Sequence, residues 1–165
     1  MATPYSVPIE KFFRRIESDR DFFNYLNLTD EQAIALAELR ALGYLDEACA
    51  RMLIDAPHKS DFSDRDDDAK TFGFDLTAKE TFLVASLMYE YYMSRDIAKL
   101  KCLTRDYVST DLRVFDPSNA RKTFRDLYDG VCAQNEDLLE TYNCSDSSGK
   151  LRLIDFAAYD IDSED

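Results

Sequence analysis

The run Thr77-Ala78-Lys79-Glu80-Thr81-Phe82-Leu83-Val84-Ala85-Ser86-Leu87-Met88-Tyr89-Glu90-Tyr91-Tyr92-Met93 decides the fold of this chain. A threonine followed three residues later by a glutamate is the capping-box register, in which each side chain satisfies a backbone amide that the first helical turn leaves without a partner. Behind that start, Phe82, Leu83, Ala85, Leu87, Met88, Tyr89, Tyr92 and Met93 spread apolar side chains over much of the circumference. A helix that is apolar nearly all round has to be surrounded, so this segment is expected to be the central core helix.

Working back toward the N-terminus, residues 59–75 hold Asp61, Asp64, Asp66, Asp67 and Asp68 with no helical period, which reads as an acidic surface loop. Pro57 bars a helix from reaching it. Upstream, Thr29 and Gln32 form a second capping box, and a long helix follows through Ile34, Leu36, Ala37, Leu39, Leu42, Leu45, Ala48, Cys49 and Met52 to about Asp55. Gly43 costs that helix about 1 kcal/mol relative to alanine and marks where it can divide in two. Ile9, Phe12, Phe13 and Ile16 recur at helical spacing between charged residues and predict an amphipathic helix entered at Pro8.

In the other direction, a less regular stretch through Leu100, Leu103, Tyr107 and Val108 precedes Asp116-Pro117, a cap followed by proline at the first helical position. Phe124, Leu127, Tyr128, Val131, Leu138 and Tyr142 then keep to one face. After Asn143 the pattern changes. Ser145, Ser147, Ser148 and Gly149 read as a linker, residues 151–156 as a short strand-like run, and Asp160, Asp162, Glu164 and Asp165 as an acidic tail. The expectation is an all-α chain: a helical bundle over 1–144 with the acidic loop 59–75, and an extended, strand-like C-terminal arm within 145–165.

Composition narrows the function. The 165 residues carry 33 acidic and 20 basic side chains, a net charge of −13, with 45% hydrophobic residues and only 4 Gly and 4 Pro. That suits one small domain with a packed core. It opposes a sequence-specific nucleic-acid binder, which concentrates Lys and Arg on one face. The start lacks a basic and apolar leader, and no stretch approaches a membrane span, so a cytosolic origin and no membrane partner are expected. Cys49, Cys102, Cys132 and Cys144 stand singly with no C-x-x-C pair and read as reduced thiols. His58 is the one histidine, so a catalytic pair would have to be built around it, and no phosphate-cradling loop occurs. Tyr89, Tyr91 and Tyr92 are better suited to packing than to stacking bases.

The aspartates invite a calcium reading, because Asp64, Asp66 and Asp68 occupy positions 1, 3 and 5 of an EF-hand frame and Asp75 position 12. The frame fails at Ala69, where the sharp turn wants glycine, and at Asp75, where a bidentate glutamate belongs. A solvated loop whose carboxylates cap nearby backbone amides is expected, with no metal and no cofactor.

The run from Asp61 to Thr77, including Phe72-Gly73-Phe74-Asp75, passes into a helix containing Leu87-Met88-Tyr89-Glu90-Tyr91-Tyr92. With Thr3-Pro4-Tyr5 and Phe12, it resembles a group of small virion-associated proteins of tailed phages and prophages of Gram-positive bacteria, over roughly residues 3 to 142. That resemblance implies a non-enzymatic head-tail connector, an adaptor ring of twelve copies in the virion neck. It would be assembled in the host cytoplasm, with portal, tail or stopper proteins as partners. The arm independently suits pairing with a neighbour's sheet. Partner contact is assigned to Leu151, Leu153, Ile154, Phe156 and Tyr159 in the arm and to Asp64, Asp66 and Asp67 in the loop. A second class remains open, an acidic phage-encoded inhibitor that mimics DNA through spaced carboxylates.

Overall fold

A computed structural model describes residues 2–18, 20–23, 28–57, 59–106 and 117–145. The chain is mostly helical. In order come α1 (Ser6–Arg15), α2 (Arg20–Phe23), α3 (Asp30–Asp55), β1 (Arg65–Asp66), β2 (Thr71–Phe72), α4 (Ala78–Asp106) and α5 (Pro117–Cys144). Helix α4 packs against α1, α3 and α5, the central place that its apolar circumference requires. Its Leu83, Val84, Ala85, Leu87, Met88, Tyr92 and Met93 are all buried. Among the described residues no helix is long and apolar enough to cross a membrane.

Local signals place the helix starts well. The Thr29 hydroxyl accepts the Gln32 amide while the Gln32 side chain accepts the Thr29 amide, a complete capping box. Helix α5 begins at Pro117 as its proline predicts. Helix α1 starts two residues before Pro8, which sits in the first turn where its missing N–H costs nothing. Gly43 does not divide α3, which runs unbroken because Ala41, Leu45, Ala48, Cys49 and Met52 bury its face against the rest.

Two aromatic groups fill the core. Phe12 of α1 is fully buried and meets the rings of Phe13, Phe22, Tyr44 and Tyr92 at centroid distances of 5.7 to 6.1 Å. The second group joins Tyr5 of the N-terminal segment to Phe62, Phe72 and Phe74, which belong to the segment expected to be a solvated loop. That expectation is corrected: β1 and β2 form an antiparallel hairpin with Arg65 opposite Phe72 and Asp66 opposite Thr71. The strands among the described residues thus lie inside the acidic segment, and the strand-like run 151–156 lies outside the described residues. The loop folds because Phe62 and Phe72 bury their rings, an apolar payload that the excess of aspartate obscures.

The N-terminus completes this small sheet. Thr3 donates its amide to the Phe74 carbonyl (3.1 Å) and accepts from the Phe72 amide (2.9 Å), and Tyr5 donates to the Lys70 carbonyl (2.9 Å). Residues 3–5 therefore run antiparallel along 70–74, with a bridge between Pro4 and Thr71. Lys70 closes the hairpin turn at φ 53°, in the left-handed region.

The expected faces of α3 and α5 need adjustment. Leu127 was expected on the apolar face of α5 but is 54% exposed, and Ile34 and Leu39 of α3 likewise point to solvent. The inward face of α5 is carried by Leu139 and Asn135, both buried, flanked by half-buried Phe124, Tyr128, Val131, Leu138 and Tyr142. An apolar residue at the right spacing is buried only where a neighbouring helix reaches it.

Two consequences are measurable by urea denaturation. Leu87→Ala should cost about 2 to 5 kcal/mol, whereas Leu127→Ala should stay within about 0.5 kcal/mol. Equal losses at both sites would contradict this placement. Gly43→Ala should stabilise the protein by about 1 kcal/mol, because it is exposed in a helix interior and nothing lies within 4 Å of the added methyl.

Candidate docking groove

Where the start of α4 meets the end of α5, one carboxylate organises three parts of the chain. Glu80 is buried and its Oε2 accepts the Thr77 amide (2.8 Å) and the Thr77 hydroxyl (2.7 Å). Its Oε1 accepts the hydroxyls of Ser60 and of Tyr142 (2.6 Å). Burial by itself would push this carboxyl up, but the donors together outweigh it and hold Glu80 below the usual glutamate range. The Tyr142 hydroxyl is pushed well above the usual tyrosine range, by burial first and then by donating to Glu80. The capping box visible in the sequence therefore also clamps the segment before the hairpin and the last turn of α5.

Beside this clamp a groove of about 310 Å³ opens between the two helices, over Ala78, Phe82, Leu83, Leu138, Tyr142 and Ser145. Its floor is apolar. Cations stand around it: Lys79 lines it, Lys59 Nζ lies 5.6 Å over the Tyr142 ring and bonds the Ser145 carbonyl, and the Arg15 guanidinium lies 4.8 Å over Phe82. Phe82 is 43% exposed, a large apolar ring left at the rim. In a chain of net charge −13, an apolar slot edged by Lys59, Lys79 and Arg15 suits an apolar segment that carries acidic residues.

A second polar cluster lies deeper and links four helices. The Ser86 hydroxyl donates to Asn135 Oδ1 (2.6 Å), and Asn135 Nδ2 donates to the Ser86 carbonyl (3.2 Å) and to Glu90 (2.7 Å). Arg15 of α1 donates to Ser86 (2.9 Å), and Arg51 of α3 stands 3.8 Å from Glu90. Ser86, Glu90 and Asn135 are all buried, so this cluster sets the mutual register of the helices. Sequence reasoning passed over it. The available signal was polar side chains at helical spacing inside otherwise apolar faces.

The loop aspartates are largely spent on the fold. Asp67 accepts the Tyr5 hydroxyl (2.8 Å), Asp66 the Ala69 amide (2.9 Å), Asp61 the amide and hydroxyl of Ser63, and Asp75 the Thr3 hydroxyl (3.0 Å). Burial and then the bond to Asp67 push the Tyr5 hydroxyl well above its usual range. Asp64 packs against Gly73, where an added Cβ would stand 2.2 Å from its carboxylate. Asp64, Asp66 and Asp67 remain exposed residues along one hairpin. Among the described residues no three His, Cys, Asp or Glu side chains gather where they could hold a metal ion. Cys49, Cys132 and Cys144 are free, and burial pushes the Cys49 thiol up to about 11, which keeps it protonated near neutral pH. His58, Leu151, Leu153, Ile154, Phe156 and Tyr159 lie outside the described residues.

The lowered Glu80 carboxyl carries a pH dependence. A carboxylate held below its unfolded value of about 4.5 stabilises the fold fully above that pH and loses the contribution as pH falls through the folded value. Glu80→Gln should therefore lower stability at neutral pH and flatten the loss of stability expected as pH falls below about 4.5. Parallel acid slopes in the two proteins would remove Glu80 from this role.

No family model matches the chain, no curated protein matches its sequence, and no solved structure matches its fold.

Proposed function

We propose that the protein is a non-enzymatic virion structural protein, a head-tail connector that forms a ring between portal and tail in the neck of a phage particle. In this reading residues 1–144 act as a helical bundle and 145–165 as an assembly arm. One observation carries it: the scattered residues of the resemblance form one connected body. Thr3 and Tyr5 hydrogen-bond along residues 70–74, Tyr5 packs on Phe72 (4.9 Å between centroids), and Phe12 meets Tyr92 of α4 (6.0 Å). Segments 67 residues apart that fold as one unit supply a reason for them to occur together, which a helical pattern alone would not.

The hairpin region carries Asp64, Asp66 and Asp67 as exposed residues, suited to basic residues of a portal or stopper protein. The arm residues Leu151, Leu153, Ile154, Phe156 and Tyr159 supply apolar contact to a neighbouring copy.

Electron microscopy of the purified protein, alone and mixed with portal, tests the reading. Rings or decorated portals support it. A monomer that ignores portal and competes with DNA for a nuclease identifies the DNA mimic instead. Deleting everything after Gly149 should preserve the helical circular dichroism and a cooperative melt while abolishing ring formation or portal docking. A truncated chain that still forms rings would remove the arm from assembly.

A further inference from the structure

We propose that the groove between α4 and α5 is the seat of the chain's own arm, with Leu151, Leu153, Ile154 and Phe156 covering Phe82, Leu138 and Tyr142 within the same molecule. Three observations favour this occupant. The first is position: Ser145, the last residue described before the arm, itself lines the groove. Six residue steps separate it from Leu151, a reach of about 20 Å. The second is charge. Residues 151–165 carry five acidic side chains against the single basic Arg152, and Lys59, Lys79 and Arg15 edge the groove. In so acidic a chain, such a cationic rim complements the charge of that segment.

The third is chemistry of surface. The half-exposed Phe82 ring and the apolar floor leave a concave apolar surface, and the arm's four large apolar residues follow within a dozen positions. A segment tethered by so short a connection meets its groove at an effective concentration in the millimolar range, so even a weak contact of about 0.1 mM would be mostly closed. Assembly can then exchange the same contact between neighbours, a domain swap in which the arm leaves one groove for the next. The proposal shares the arm with the connector reading without depending on it: the test below involves no portal, whereas ring formation tests the connector.

A fluorescent peptide corresponding to residues 150–165 serves as the probe. It should bind the full chain carrying Leu151→Ser, Leu153→Ser, Ile154→Ser and Phe156→Ser about tenfold more tightly than the unaltered chain, whose groove is already filled. Adding Phe82→Ser to that variant should weaken binding by about tenfold. Equal affinity for the altered and unaltered chains, undiminished binding after Phe82→Ser, or no binding at millimolar peptide overturns the proposal. A difference that vanishes as the protein is diluted assigns the arm to a second copy and overturns the intramolecular form. Should the fourfold variant not fold, trypsin cleavage after Lys150 and Arg152 reads the same contact in the otherwise unaltered chain. Cleavage should accelerate about tenfold with Phe82→Ser, and an unchanged rate overturns the docking.

Discussion

A helix packed against three others buries polar residues along with apolar ones, and the rest of this structure follows from that constraint on α4. Its Glu80, Thr81, Ser86 and Glu90 are buried along with its apolar residues. A buried polar group without a partner costs about 1 to 3 kcal/mol; Thr81 finds its partner locally in the Thr77 carbonyl, whereas Glu80, Ser86 and Glu90 dictate what stands opposite. Asn135 of α5 answers Ser86 and Glu90, Arg15 of α1 answers Ser86, Arg51 of α3 approaches Glu90, and Tyr142 and Ser60 answer Glu80. Hydrophobic burial brings these helices together. The polar contacts choose one register among the many that burial alone would allow.

The acidic segment follows a similar logic at smaller scale. Phe62 and Phe72 supply the burial, residues 3–5 supply a third run of backbone beside the hairpin, and the aspartates terminate or brace that arrangement. Asp67 holds Tyr5, Asp75 holds Thr3, and Asp66 caps the turn at Ala69. An Arg65–Asp46 ion pair at 2.8 Å ties β1 to α3. Acidic residues concentrated here therefore serve the fold and still leave a charged hairpin at the surface, the combination that the proposed portal contact uses.

The groove lies at the point where these two systems meet. Glu80 joins the approach to the hairpin, the cap of α4 and the last turn of α5, and the apolar slot opens directly beside it. A partner segment seated there would touch Tyr142 and Phe82 and through them the clamp itself. Docking at that corner would thus bear on the hydrogen bonds that Glu80 makes to Thr77, Ser60 and Tyr142.

Helix starts were legible from the sequence because caps are local. The Thr29 box, the Thr77 box and Pro117 act within one turn, and each did what its own residues dictate. The central role of α4 was legible too, since an apolar circumference admits one solution. Three things were decided by tertiary structure. Leu127, Ile34 and Leu39 have helical spacing but face solvent, because spacing says which residues share a face and not whether a neighbour covers it. The hairpin at 65–72 was hidden because its stability comes from Tyr5, Phe62, Phe72 and Phe74 meeting across distances that no local pattern spans. The groove and the Ser86–Asn135–Glu90 cluster exist only once α4 and α5 lie side by side, for a contact between residues 45 to 49 positions apart is a property of packing rather than of either helix alone.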